Sequence, residues 1–508
     1  MFSRVKGIGL FGIDSYMIEI EADVGTGLPA FDIVGLPDAA VKESRDRVRA
    51  AIKNCGYKFP LGRITVNLAP ADRKKEGSVY DLPVLLSILK ASGQLKCELK
   101  DSIVIGEVAL DGMVRGVNGV LAITITAVQN GIKDIFVPKV NAREAAVIEG
   151  INVYGVENVN QIISHLKGET LIKPTPKTEI NTQSNVNVPD FSEVRGQIAA
   201  KKALEVAAAG GHNILLIGPP GSGKSMLAKR LPGILPEMTF EESIETTKIH
   251  SVAGILNKEN PFVTERPFRS PHHTVSTAGV AGGGTVPKPG EISLSHNGVL
   301  FLDELPEFKR EVMEALRQPI EDGKVTISRV AGSLTYPSSI MLVAAMNPCP
   351  CGFFGHPTRE CICSHNSVHK YLNRISGPML DRLDLHVEVP PVDYEALSSK
   401  AEEETSAEIR KRVNAARQIQ QERYKGTGIT CNARLTPSLL KKYCVMSEEA
   451  SKYLQLSFER LGMSARAYDR ILKVARTVAD LDSSEIIEKN HIFTAISFRS
   501  LDRKYWGN

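Results

Sequence analysis

Residues 218–225 read GPPGSGKS and fit the spacing G-x-x-x-x-G-K-[ST]. Glycines at these places let backbone N–H groups turn inward around a phosphate. Lys224 can then reach the β- and γ-phosphates, and the Ser225 hydroxyl can ligate Mg²⁺. The run Gly218, Pro219, Pro220, Gly221, Ser222, Gly223, Lys224, Ser225 and Met226 is the expected cradle for ATP. An apolar stretch, NILLIG, leads into it and MLAKRL leads out, so a strand should precede the loop and a helix follow. A second apolar stretch, GVLFLDE, ends in Asp303 and Glu304. Carboxylates at the C-terminal end of a buried strand lie where α/β sheets bind ligands. Asp303 can share the Mg²⁺ shell with Ser225, while Glu304 can orient and activate the attacking water. A third stretch, SIMLVAAMN, closes on Asn347, whose neutral amide can position the same water.

Four of the eight cysteines follow at once: Cys349, Cys351, Cys361 and Cys363, spaced C-x-C-x₉-C-x-C. Four thiolates can hold Zn²⁺ tetrahedrally, and the glycines and prolines between the pairs suit a tight loop. The pairs are tighter than the C-x₂-C of zinc ribbons, and His356 and His365 stand near as substitute ligands. Free or redox-active thiols are the other reading. A disulfide is not expected in a reducing compartment.

Positioning these groups requires a sheet. Apolar runs of this kind belong to parallel strands buried on both faces. A helical stretch, GQIAAKKALEVAAAG, precedes the first, and after about residue 395 the pattern turns helical. Residues 168–190 are polar, Pro-containing and aperiodic, which suits a linker. Ahead of it, short β-type runs such as ITVNLA alternate with helical stretches such as DAAVKESRDRVRAAIKNC, an α+β pattern. The expected division is 1–167, 168–190, 191–394 and 395–508.

The chain has 508 residues, 42% hydrophobic and 24% charged, which suits a multidomain globular protein. Its 62 Lys+Arg nearly balance 58 Asp+Glu, so any polyanion must be bound by local patches. Two stretches qualify. RPFRSPHHTVSTAGVAGGGTVPKPG carries Arg266, Arg269, His272, His273 and Lys288 without an acid. DGKVTISRVAGSLTYPSSI alternates like a hairpin and brings Lys324 and Arg329. MFSRVKGIGL is too short in its apolar part for a signal peptide, and no run approaches eighteen uninterrupted apolar residues. A cytoplasmic location without membrane partners is expected.

In this order of motifs the chain resembles the AAA+ ATPases, GPPGSGKS being similar to Walker A, VLFLDE to Walker B and Asn347 to sensor 1. That family works as rings in which a neighbour's arginine completes each site. SGPMLDRLDLHVEV is similar to the arginine-finger region, which makes Arg382 the candidate. LGMSARAYDRILKVART is similar to the sensor 2 helix, with Arg466 in the sensor position. The two inserts resemble the branch holding magnesium chelatase motor subunits and MCM helicases. Within it, RPFRSPHHT, GEISLSHNGVLFLDELPEF and NPCPCGFFG look most like the bacterial ComM/YifB proteins, over almost the whole chain. That family carries a similar Cys-rich insert.

The resemblance implies an AAA+ P-loop core with a helical lid, working as a homo-hexamer on branched, single- or double-stranded DNA. The implied activity is ATP-driven translocation, or helicase action, that promotes branch migration in recombination or natural transformation. The alternative is the ATPase motor subunit of a magnesium-chelatase-type complex. GEVALDGMVRGV and NGIKDIFVPKVNAREA are similar to the Lon-protease-like (ribosomal S5 domain 2-like) domain. The stretch matching its serine turn, KKEGSVYDLPV, lacks that turn, and Leu121 stands where the lysine would be. Ser78 has no evident base there, so a non-proteolytic docking or DNA-clamping module is expected.

Overall fold

The computed structural model describes residues 1–178, 188–257, 259–284, 287–329, 332–392 and 403–506. The chain divides into two compact units: Met1–Gln183 with Phe240–Thr264, and Ser184–Thr239 with Glu265–Asn508.

In the first unit, β1 (Phe2–Phe11) and β2 (Asp14–Gly25) form a long antiparallel pair. Ile18, Ile20 and Ala22 alternate inward with no exposure, the period of a half-buried strand. β3 (Ala30–Val34) and β4 (Arg63–Ala69) complete a sheet of order β1-β2-β4-β3. Helices Ala39–Asn54 and Asp81–Ala91 cover it. Arg47 on the first clamps buried Asp81 on the second with two hydrogen bonds of 2.7 and 3.0 Å. After β5 (Ser102–Val104) and a short hairpin of β6 (Glu107–Val108) and β7 (Val114–Arg115) come β8 (Asp134–Pro138) and β9 (Asn152–Val156). β5, β8 and β9 form a second, parallel sheet.

The segment 240–264 belongs to this unit, although the sequence suggests a place in the ATPase core. Its helix Phe240–Ala253 lies against helix Val120–Gln129. Phe262 is buried with Leu121 and Val147, and Ile244 packs on them. Ser251 donates to the carboxylate of buried Glu144, which also accepts the Leu121 N–H at 2.9 Å. Part of the expected linker is also ordered on this unit. Thr175 N–H donates to Val153 O at 2.7 Å and Thr178 N–H to Ala146 O at 3.1 Å. Residues 179–187 of that linker fall outside the described residues.

The second unit is built on β10 (Ile214–Ile217), β11 (Phe268–Arg269), β14 (Val299–Leu302), β17 (Met341–Met346) and β18 (Leu385–Glu388). All run parallel, in the order β11-β14-β17-β10-β18. β10, β14 and β17 are buried along their whole length, which is why their sequences are continuous apolar runs rather than alternations. Ile214, Leu216, Val299 and Phe301 meet helices Ile198–Gly210, Ser406–Arg423 and Ala465–Leu481. Leu215, Ile217, Leu300 and Leu302 meet helix Arg310–Asp322 on the other face. Two inserts interrupt this plan. One carries the short pair β12 (Gly282–Gly283) and β13 (Lys288–Pro289), the other the hairpin of β15 (Lys324–Arg329) and β16 (Gly332–Pro337). Among the described residues beyond 403 the regular elements are helices. Among the described residues no helix is long and apolar enough to cross a membrane.

Candidate active site

β10, β14 and β17 end side by side, and the loops that leave them bring the expected groups together. Gly221 and Gly223 sit at φ +77° and +90°, backbone angles that an L side chain rarely adopts. A Cβ on Gly218 would come within 2.1 Å of Val389 O. Lys224, at the start of helix Lys224–Arg230, donates to Gly218 O (2.7 Å), Pro219 O (2.9 Å) and Asn347 Oδ1 (3.2 Å). Burial pushes its ammonium down to about 8, although Asp303 and Glu304 pull it upward. Ser225 Oγ donates to Asp303 Oδ2 at 2.6 Å, so the hydroxyl and carboxylate proposed to share a Mg²⁺ shell are already neighbours. Glu304 N–H donates to Asp303 Oδ1 at 3.0 Å, and Glu304 itself has φ +54°. The loop Gly218–Met226, Asp303, Glu304 and Asn347 therefore form one constellation. Its lysine, hydroxyl, paired acids and amide can bind a triphosphate with a divalent cation and orient a water.

Arg382 and Arg466 lie elsewhere. β18 runs parallel to β10, with Leu385 opposite Ile214 and Glu388 opposite Ile217. Arg382 thus precedes the strand's first residue, at the N-terminal end of the strands, away from the phosphate loop at their C-terminal end. Its guanidinium donates to Arg317 O (2.9 Å) and Pro378 O (2.6 Å) and pairs with Glu321 at 2.8 Å. Arg466 is at the same end of the strands, 3.7 Å from Asp381 and largely exposed. A polar cluster not evident from the sequence ties this end together. Asn213 accepts from Leu342 N–H and donates to Arg382 O, and its own N–H donates to Asp384 Oδ2 at 3.0 Å. Burial would raise the Asp384 carboxyl, but His212, Arg470 and the Asn213 N–H outweigh it and hold it at about 2.

The basic inserts are unevenly committed. Arg266 donates to Pro236 O, Asn297 O and Glu237 O, and Arg269 grips Glu291 with two bonds of 2.7 and 2.8 Å. Both guanidinium groups are occupied within the fold. Lys288 and Lys324 are exposed. Arg329 lies beside the tip of its hairpin, opposite Gly332, and its side chain falls outside the described residues. His272 meets Thr274, and His273 lies 3.5 Å from Glu304.

The four clustered cysteines do converge. Sγ separations are 3.4 Å for Cys349 and Cys351, and 3.6 Å for Cys361 with each of these. All four sulfurs, Cys363 included, lie within 4.8 Å of one another. Zinc–sulfur bonds of ~2.3 Å in a tetrahedron set sulfur edges of about 3.8 Å, so the donor set fits that ion. The loop also leans on the phosphate loop. Gly352 has φ +84°, and a Cβ there would fall 2.3 Å from Pro220 Cδ.

In the first unit, Ser78 donates to Glu107, and Leu121 turns its side chain into the apolar contact with Val147 and Phe262. Among the described residues no hydrogen bond links Ser78 to a lysine.

The family described as magnesium chelatase, subunit ChlI, matches residues 190–397. Its companions for the ChlI subunit and its C-terminal part match 20–141 and 403–499. The chain is 44% identical over 496 residues to YifB of Escherichia coli strain K12, covering 97% of this chain and 96% of that one. It is 44% identical over 501 residues to the competence protein ComM of Haemophilus influenzae, with the same coverage. To the magnesium-chelatase 67 kDa subunit of Chlorobaculum parvum it is 26% identical over 235 residues, which is 43% of this chain and 31% of that protein. The phosphate loop, its acidic strand end and near-full-length identity at this level place the chain in the ComM/YifB family of magnesium-chelatase-like proteins.

Proposed function

We propose that the chain is an AAA+ ATPase that translocates on DNA as a homo-hexameric ring and promotes branch migration in recombination or natural transformation. The Ser225–Asp303 and Lys224–Asn347 bonds carry the ATPase part, because they join three strand ends at one phosphate loop. ATP with Mg²⁺ is the expected cofactor pair. Lys224 neutralises phosphate charge, Ser225 and Asp303 hold the cation, Glu304 takes the proton of the attacking water, and Asn347 orients that water. Arg382 and Arg466 stand at the opposite end of the strands from their own loop, which suits action on a neighbour's γ-phosphate. The DNA part rests on the competence role in the name of the Haemophilus relative and on exposed Lys288 and Lys324 in the inserts. A cytoplasmic location, zinc on the four cysteines, and a Lon-like, non-proteolytic N-terminal module complete the reading.

The second reading, a motor subunit of a metal-chelatase complex, is favoured by the ChlI family matches. ATPase and strand-exchange assays with and without forked DNA separate the two. Forked DNA should stimulate hydrolysis several-fold, and Lys224→Ala should lower it by ~10²-fold or more. No response to DNA sinks the DNA motor, and hydrolysis surviving Lys224→Ala sinks the site.

A further inference from the structure

β10 is four residues long. One end runs into the phosphate loop, and Asn213 stands at the other. Each polar group of Asn213 is engaged. Its carbonyl accepts the Asp384 N–H at 2.8 Å and the Leu385 N–H at 3.1 Å, and its own N–H donates to Asp384 Oδ2 at 3.0 Å. Its side-chain Oδ1 accepts the Leu342 N–H at 2.8 Å, and its Nδ2 donates to Arg382 O at 2.9 Å. A carboxamide presents an acceptor and a donor on one planar head, which these two contacts require together. One side chain therefore ties the start of β17 to the turn that carries Arg382 ahead of β18.

Asp384 extends the tie towards Arg466. Arg470 Nε lies 3.6 Å from Asp384 Oδ1, and Arg466 stands about one turn earlier on the same helix, Ala465–Leu481. The Arg382 side chain is only 11% exposed, docked on Arg317 O, Pro378 O and Glu321. Its guanidinium must leave those partners to reach another copy, and the backbone from which it swings is the one Asn213 holds. β10 leads to Lys224 and β17 ends at Asn347, which bond each other at 3.2 Å. The two strands that meet at the phosphate are thus pinned, at their far ends, by the residue that anchors Arg382.

We infer that Asn213 is a positioning residue for Arg382: its carboxamide fixes the backbone from which that arginine reaches a neighbouring copy's phosphate. This role rests on the ring reading above and adds a residue to it. Asn213 lies at the end of β10 away from the phosphate loop, so its loss acts on the neighbour's catalytic step rather than on ATP binding in its own subunit.

The test is ATP hydrolysis by full-length chains, alone and mixed. Asn213→Ala alone should lose about tenfold or more in kcat while KM for ATP stays put. Mixed with Lys224→Ala chains, whose arginine is intact, it should hydrolyse more than the two chains do separately. Mixed with Arg382→Ala chains it should gain nothing, because neither copy then offers a positioned arginine. Asn213→Asp keeps the acceptor for Leu342 N–H and loses the donor to Arg382 O. It should repeat the pattern, and it takes the place of the alanine chain if a melting curve shows that chain unfolded. The control is a mixture of Lys224→Ala and Arg382→Ala chains. If the control regains hydrolysis, then retained kcat in the Asn213 variant, recovery with Arg382→Ala, or recovery with neither partner overturns the inference alone. A control without recovery overturns the ring reading as well.

Discussion

Lys224 is held among carbonyls and pushed by burial to about 8, while Asp303 and Glu304 pull it upward only in part. A docked polyphosphate favours the ammonium, so binding takes up a proton near pH 8. The depressed value belongs to the charged form being disfavoured, and affinity therefore weakens as pH rises through 8. Titration of an ATP analogue between pH 7 and 9.5 should show affinity falling up to about tenfold per pH unit above 8, and Lys224→Arg should flatten that slope. A flat profile in the unaltered chain would remove Lys224 from the phosphate contact. Residues of this kind were legible in the sequence because each one's meaning is local. Asp303 and Asn347 stand at the ends of apolar runs and Lys224 and Ser225 close the loop that follows a third, and strand ends of a parallel sheet must meet. His273 and Gly352 were not legible as parts of the site. Their partners, Glu304 and Pro220, are brought to them by pairing across the sheet, which one-dimensional spacing does not express.

At the scale of elements, the cysteine loop is the part most open to test. If its four sulfurs hold zinc, metal analysis should find one equivalent per chain, and Cys361→Ser with Cys363→Ser should lose it. The same pair should lower the melting temperature by several degrees, since a metal that binds only the folded loop adds its binding free energy to stability. Full metal content in the double variant would reject the site. Gly352→Val probes the contact with Pro220 instead. A side chain there meets backbone strain and a 2.3 Å clash together, an overpacking cost of about 1–3 kcal/mol. Nucleotide affinity should fall while zinc content is retained, and an unchanged affinity would mean the two loops are independent. The parallel sheet was readable as three apolar runs, but β11 was not, because only Phe268 and Arg269 pair. Helix Phe240–Ala253, sequence FEESIETTKIHSVA, spreads its few apolar residues thinly and reads as a surface helix. Its burial against Leu121 depends on a surface that lies more than a hundred residues away in sequence.

For the whole molecule, the decisive geometry is the placement of Arg382 and Arg466 at the end of the strands opposite their own phosphate loop. Such arginines serve catalysis only if subunits sit head to tail, the arginine end of one copy against the next copy's loop. Lys224→Ala and Arg382→Ala chains should each be inactive alone. Mixed together they should regain hydrolysis, because random pairing joins an intact loop to an intact arginine at roughly one interface in four. No recovery on mixing would place both groups in one subunit's own site or outside catalysis. Arg382 also braces Glu321, Arg317 O and Pro378 O, so a melting curve of the single variant separates loss of fold from loss of catalysis.

The excursion 240–264 has a consequence for how this protein can be cut and inherited. The backbone passes between the two units three times, near residues 183, 239 and 264, not once. A deletion of the first 183 residues would leave Phe262 and Ile244 without their apolar partners, still attached to the other unit. The N-terminal unit is therefore not a cassette that one recombination breakpoint could swap. Exchange of its ancestry requires two separate segments to travel together, and any isolated fragment meant to fold should carry both.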